Sequence, residues 1–443
     1  MTTLARQLRL TDYFTLAWGT MVGVGWLVVM DDWLSRGGPL GAIFGFALGG
    51  LLLLPIGWVY GQLVVRMPDA AGEVAYTAAV FSRPISFATG WMMMLAYFIV
   101  CPWEAVAIGR IAAYIFPSLN SIELYHIGGR PVYLPHLALG LALTILLTVL
   151  NYRGIRLSAT FQNWAAFSVL ALFAIFATTG FIHGSVQNFQ PLFSQTSSYG
   201  GFLSVLLVLQ IVPYYMTGFE SVGKGSEEAS LDAGESVFFR AIAMAILVGA
   251  GFYVIVIAAV AFAAPWQTLA GQNFMTAVAF EHAIGSHWIV QVILAAAILS
   301  LVKCFNGNFV AASRLLFALG RRGLVDSRLA WVHPARQTPA TAVIAVGTAT
   351  AVCMLLGQAI LVPISEVGSV ACAIGWTAAC IAYFCMKPGS GARGIAALGA
   401  VIGALLVAMK ILPFVPGHFD HSEWIALALW CLLGAILHFA GRK

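Results

Sequence analysis

The chain has 443 residues, 61% of them hydrophobic and only 9% charged, with a formal net charge of +5. Soluble domains carry roughly 25% charged residues, so a chain this apolar cannot cover itself for water, and its solvent is lipid. The positive balance does not indicate a nucleic-acid partner, because the basic residues fall singly in short loops with no basic stripe and interleaved aromatics.

A helix needs about 20 apolar residues to cross the hydrocarbon core. Runs of that kind predict an all-α membrane protein with twelve transmembrane spans, at 12–33, 40–65, 84–116, 133–151, 160–182, 200–222, 237–264, 287–319, 339–357, 362–386, 394–413 and 422–441. Arg6 and Arg9 precede the first run, but no small-residue cleavage site follows, so it reads as a retained helix rather than a signal peptide. An even count puts both termini on one side. All but five of the 22 Lys and Arg residues (Arg36, Arg110, Arg130, Lys303 and Lys410) fall on that side, from Arg66 and Arg83 through Arg321 and Arg322 to Arg442 and Lys443. The positive-inside rule then makes both termini cytoplasmic in a multi-pass cell-membrane protein.

The first span is interrupted at Gly23, Val24 and Gly25, and the sixth at "LQIVPYYMTGFESVG", where Pro213 and Gly218 bracket the middle. Proline removes a backbone donor and glycine lowers helix stability, so each stretch predicts an unwound segment. Spans three and eight are the longest, and each follows a short amphipathic segment, "EVAYTAAVF" on one side and "NFMTAVAFEHA" on the other. The same features at the same offset on opposite sides predict an inverted repeat, 1–182 and 200–386, followed by two further helices within 387–443. Interrupted helices at matching positions of two halves point to the binding site of a secondary transporter. Non-helical backbone at membrane depth is tolerated where it lines a cavity or is buried in protein. The free N–H groups at Gly23, Val24 and Gly25, with the positive end of the half-helix behind them, are expected to hold a carboxylate or other polar end of the substrate.

Glu104 and Lys303 lie near the middle of spans three and eight. An ionisable group at that depth costs roughly 2.5–3.5 kcal/mol on insertion scales and is a functional candidate by default. Opposite charges at similar depth predict an ion pair. Asn306 and Asn308 follow Lys303 but cannot share one helix face, so only one, with Asn308 as the candidate, should reach the pocket. Asp31 and Asp32 read as a solvated helix end. Glu220, Glu227 and Glu228 read as packing and loop pairing at the end of span six. Tyr214 and Tyr215, placed in the span-six break with Thr217 and Gly218, suit a gate over the substrate or a surface for a cationic headgroup.

Other classes fit less well. Seven cysteines lie in apolar runs with no CxxC pair, so no disulfide framework, metal site or cofactor is expected. The nine histidines fall in loops or near span ends, with no buried Ser/His or paired-carboxylate arrangement for an intramembrane enzyme. A nucleotide-binding GxxxxGK[ST] loop and repeated channel-filter motifs are missing.

The quoted segments resemble the amino acid–polyamine–organocation superfamily of permeases. "MVGVGWLV" is similar to that family's span-one break, "MPDAAGEVAYTAAVF" to its first inner loop, and "YYMTGFES" with "SEEA" to its sixth span and exit. "SRLLFALGRRGLVDSRLAWVHPARQTPATAV" resembles the segment joining spans eight and nine. The resemblance implies ten helices in a LeuT-type 5+5 inverted repeat with spans one and six broken, plus two C-terminal helices. It also implies alternating-access transport of an amino acid or small organic amine, by symport or exchange, with Glu104 near the substrate side chain and Tyr214 as the gating aromatic. Trp26 stands where the family has a small branched residue, which should reshape the pocket. Many such transporters carry a lysine in span five in place of a sodium ion, whereas this span has Ser168 near that position and no lysine. Coupling is expected to use protons, through Glu104 or Lys303, ahead of sodium, for which Ser168 and Ser313 would be ligands. The carrier is expected to be a monomer or homodimer.

Overall fold

The computed structural model describes residues 7–194, 199–230, 236–269, 274–285 and 287–440, so the expectations for Arg6, Arg442 and Lys443 lie outside the described residues. Ten described helices are long and apolar enough to cross a membrane. Nine correspond to single predicted spans: Arg83–Ile115, Leu134–Arg153, Arg156–His183, Ser236–Ala263, Trp288–Arg321, Ala340–Gly357, Ser365–Cys385, Ser390–Ile411 and His421–Phe439. The tenth, Met30–Arg66, runs from the end of predicted span one through span two and bends at Gly38, whose φ of 63° is one that glycine adopts readily. Pro39 follows, pre-set for the first turn of the next helical segment. The predicted spans one and six are missing from this set because neither is a continuous helix.

Spans three and eight differ in how they cross. His287–Arg321 is unbroken, whereas span three loses a hydrogen bond at Ile99, between Arg83–Phe98 and Val100–Ile115, while its backbone there stays helical. Pro102 has no N–H to offer the Phe98 carbonyl, which accounts for the interruption. Both amphipathic segments form short helices, Glu73–Ala78 and Met275–Ile284.

Span one packs against spans five, seven and eight, and span three against spans eight and ten. Spans four, five and twelve turn large apolar side chains outward, among them Leu146, Trp164, Phe167, Leu429 and Leu432, as a lipid-facing surface requires. The last helix is fastened to span three by a reciprocal pair: Trp91 Nε1 donates to Trp430 O at 2.9 Å, Trp430 Nε1 donates to Trp91 O at 3.0 Å, and the rings stack at 4.5 Å.

One element was not expected. Between spans three and four, Glu123–Ile127 pairs antiparallel with Arg130–Tyr133. Gly128 and Gly129, at φ 57° and 73°, make the turn between them, as a two-residue hairpin with both central φ values positive demands. Tyr125 Oη donates to Leu355 O at 2.6 Å, tying the hairpin to the end of span nine.

Candidate substrate site

The helix Leu10–Met21 stops where the Val22 N–H reaches Trp18 O at 2.9 Å, and Val22 turns extended at φ −95°, ψ 94°. Helix resumes for one turn, Gly25–Val28, before an interruption at Val29. The Val29 N–H still reaches Gly25 O at 2.9 Å and the Trp33 N–H reaches Val29 O at 3.2 Å, so the chain behind the break continues into Met30–Arg66. Span six is cut more finely, into Gly200–Leu209, Val212–Met216 and Ser221–Lys224. Its unwound residues are Thr217, extended at ψ 143°, and Gly218 at φ 131°. Tyr214 and Tyr215 therefore lie on the helical turn before the break, not within it.

The two breaks touch. A Cβ on Gly218 would lie 2.7 Å from the Met21 nitrogen and 2.9 Å from the Thr20 carbonyl carbon. Glycine is required there both by φ and by this approach. Glu220, read from sequence as loop packing, instead holds the break together. Its Oε1 accepts from Thr217 Oγ1 at 2.6 Å and its Oε2 from the Gly218 N–H at 3.1 Å, all of it buried. An acidic residue two positions after a mid-span glycine was the available signal.

Glu104 and Lys303 approach the span-one break from either side. The expected ion pair between them does not form. Lys303 Nζ donates to Val22 O, reaches Gly19 O at 3.4 Å, and lies 4.4 Å from the centre of the Trp18 ring. Carbonyl oxygens freed where the helix unwinds offer an ammonium the negative charge it needs, and the lysine takes them in preference to the glutamate. Ser300, one turn earlier on span eight, donates to Val22 O at 3.1 Å and Gly23 O at 2.8 Å. The Glu104 carboxylate rests on the other side, facing the Val24 N–H and the Cys304 thiol. A Cβ on Gly23 would come within 2.3 Å of Glu104 Oε1. Glu104 Oε2 is buried and has no hydrogen-bond partner.

The remaining candidates divide. Asn308 Nδ2 donates to Thr20 O at 2.9 Å, at the edge of the break. Asn306 turns away to spans four and five, donating to Gln162 Oε1 and accepting from Asn151 Nδ2, each at 2.9 Å. Gly25 lies against Tyr215, where an added Cβ would meet the ring at 2.8 Å. Trp26 departs from expectation: its ring packs edge-on to Phe176 at 5.6 Å and Phe252 at 6.4 Å, between spans five and seven, and is not turned to Glu104. One residue beyond Gly25 on a helical turn, it is rotated by about 100° from the glycine face.

The two ends of the molecule differ. On the face away from the basic loops, Tyr215 packs on Trp33, with ring centres 4.8 Å apart, while the Tyr214 N–H donates to Ser369 Oγ at 3.2 Å. Above them runs a chain of charges. Arg36 Nε bonds Asp32 at 2.8 Å, an Arg36 NH2 group pairs with Glu366 Oε1 at 2.9 Å, and Lys410 Nζ forms an ion pair with Glu366 Oε2. Asp32 is thus a member of a network and not the free solvated end expected from sequence. The basic face holds a cavity of about 760 Å³ lined by Arg9, Asp12, Arg156 and Asn163 among others. On that face Lys224 Nζ pairs with Glu73 Oε2 and Arg314 with Glu228 at 3.2 Å, all four residues buried.

Comparison with known proteins places the chain among carriers. A family model described as amino acid permease matches residues 8–437. The branched-chain amino acid permease BcaP of Bacillus subtilis is 25% identical over 82% of this chain and 76% of its own length. The gamma-aminobutyric acid permease of the same organism is 26% identical over 73% of this chain and 67% of its own. The aromatic amino acid transport protein AroP of Salmonella typhimurium is 23% identical over 99% of this chain and 96% of its own. The solutes named for these three differ widely in side chain, so the likeness fixes a kind of protein and leaves its cargo open.

Proposed function

Because the chain belongs to the amino acid permease family, we propose that it is a secondary active carrier of an amino acid or small organic amine, working by alternating access and driven by protons rather than sodium. It is a multi-pass cell-membrane transporter and not an enzyme. A LeuT-type architecture belongs to the proposal: halves at 1–182 and 200–386 in inverted repeat, then two more spans in 387–443, twelve in all with both termini cytoplasmic. Its support is that the two interrupted helices fall first and sixth in the chain and meet at Gly218. The basic face is then the cytoplasmic one, and the conformation has its extracellular side shut by Tyr215, Trp33 and the Arg36–Glu366 pair.

The observation that carries proton coupling is the seat of the Lys303 ammonium on Val22 O and Gly19 O. Carbonyl oxygens of an unwound segment are what a sodium ion would coordinate. Here a fixed cation already holds them. Unlike a bound ion, a buried lysine keeps its place while its charge comes and goes with a proton. Purified protein in liposomes, given a pH gradient or a sodium gradient one at a time, tests this. Uptake should follow the proton gradient and ignore sodium, and drive by sodium alone would overturn the coupling.

A further inference from the structure

The site carries information about its cargo that the family does not. Glu104 lies where a substrate carboxylate would be expected, on the non-helical stretch at Gly23 and beside the Val24 N–H. The protein's own carboxylate fills the anion-accepting part of the break. An α-amino acid entering in the usual way would bring a second carboxylate to the same donors. Two carboxylates set on the same donors would repel.

The other oxygen points to the opposite requirement. Glu104 is 2% exposed, and its Oε2 has no hydrogen-bond partner. A carboxylate oxygen closed off from water costs free energy until a donor reaches it, and a charged donor makes the strongest bond. Lys303 does not supply one, since its ammonium is turned to Val22 O and Gly19 O. The missing donor is an ammonium brought by the ligand.

We propose that the cargo is an organic amine without an α-carboxylate, whose ammonium is held by Glu104 Oε2 while the remainder of that carboxylate occupies the span-one break. This rests on the reading that the site between the two broken helices carries an amino acid or amine, and narrows it to one chemical class.

Matched pairs differing only in the α-carboxylate make the test: lysine with cadaverine, arginine with agmatine, ornithine with putrescine, phenylalanine with phenethylamine. Each is measured by thermal shift and calorimetry on the purified full chain, then by uptake into liposomes. In at least one pair the amine should bind at least tenfold tighter than its parent amino acid and be taken up. Parent amino acids that bind as tightly as their amines, or more tightly, overturn the inference and leave the carrier reading standing. Binding and uptake of neither member of any pair would remove the carrier reading itself, and the inference with it. Two variants locate the effect. Glu104→Gln keeps the shape and loses the charge, and should weaken amine binding about 10- to 100-fold, the scale of a hydrogen bond to a charged group. Glu104→Ala vacates the break and should move the preference within a pair toward the amino acid. An unchanged amine affinity in Glu104→Gln would overturn the assignment.

Discussion

Glu104 and Lys303 sit on two sides of the same three unwound residues and have been treated in opposite ways. The lysine is saturated by carbonyl oxygens and an aromatic face, all from span one. The glutamate keeps one oxygen bare in the protein interior. A buried charge with every partner supplied by the chain is part of the framework, whereas one left short of a partner has a place kept for something else. Depth in the membrane marked both residues as functional and could not tell them apart; the count of partners does.

The contrast depends on close packing around the span-one break, and filling the space at Gly25 should have the largest effect. A side chain at Gly25 would run into the Tyr215 ring, with a Cβ already at 2.8 Å. Gly25→Leu should reduce uptake to background while folded protein remains in the membrane, as followed by transport assay beside gel filtration. Normal uptake kinetics in that variant would show that the break is not the site.

Next in size is the difference between the two charges. Lys303→Met takes the ammonium away from the Gly19 carbonyl and leaves Val22 O with Ser300 alone, at a cost of about 1–3 kcal/mol for buried polar groups. Glu104→Gln removes a charge that the fold holds at a loss, so the ligand-free protein should unfold no lower than the parent. Thermal unfolding of the two variants without ligand checks this. If Glu104→Gln is the more damaging, the assignment of framework and open site is inverted. In liposomes, Lys303→Met should also lose drive by a pH gradient.

The fold was legible in the sequence because its main determinants are one-dimensional. Apolar run length located the long helices, and Gly23-Val24-Gly25 and Gly218 marked the two interruptions. What escaped depends on rotation about helix axes. Glu104 and Lys303 share a depth, but their pairing turns on how spans three and eight face the break, and Lys303 found carbonyls that exist only once span one has unwound. Trp26 is adjacent to Gly25, yet one residue of helical rotation takes its ring to Phe176 and Phe252. The hairpin at Glu123–Tyr133 was available in "ELYHIGGRPVY", whose paired glycines are a turn signal, but it lies in a loop where span counting does not look. Glu220 was set aside as loop pairing because its role depends on Thr217 and Gly218 folding back onto it.

A smaller effect bears on the same pair. Had the two charges been partners, Glu104→Gln combined with Lys303→Met would recover much of what each loses alone. Since they hold different atoms of the break, their effects on unfolding free energy should add to within about 0.5 kcal/mol. Denaturation of the four proteins of the cycle gives the number. A coupling of 2 kcal/mol or more, well beyond the range expected for independent sites, would establish a pair that forms in another conformation of the carrier.

The smallest effect is expected where a fully partnered charge meets water. Asp69, in the loop after span two on the basic face, accepts from the Ala71 N–H at 2.8 Å, from Arg322 at 2.6 Å and from Arg321 at 3.1 Å. Partial burial pushes its carboxyl up, but the Ala71 N–H and the two guanidiniums outweigh this and hold it below the ordinary aspartate range. A depressed carboxyl contributes stability that is present above its unfolded value, about 3.9, and is lost as pH falls through the lower folded value. Asp69→Asn should therefore lower the unfolding temperature at pH 7, and the gap from the parent should close as the pH is taken below that range. Asp69 is partly exposed, so salt screens the interaction and its worth at neutral pH should be about 1 kcal/mol or less. Added salt should shrink it further, while leaving the Lys303→Met deficit in place because that site is closed to ions. If salt erased both deficits alike, Lys303 would be a solvent-exposed charge like Asp69, and the distinction between framework and open site would fail.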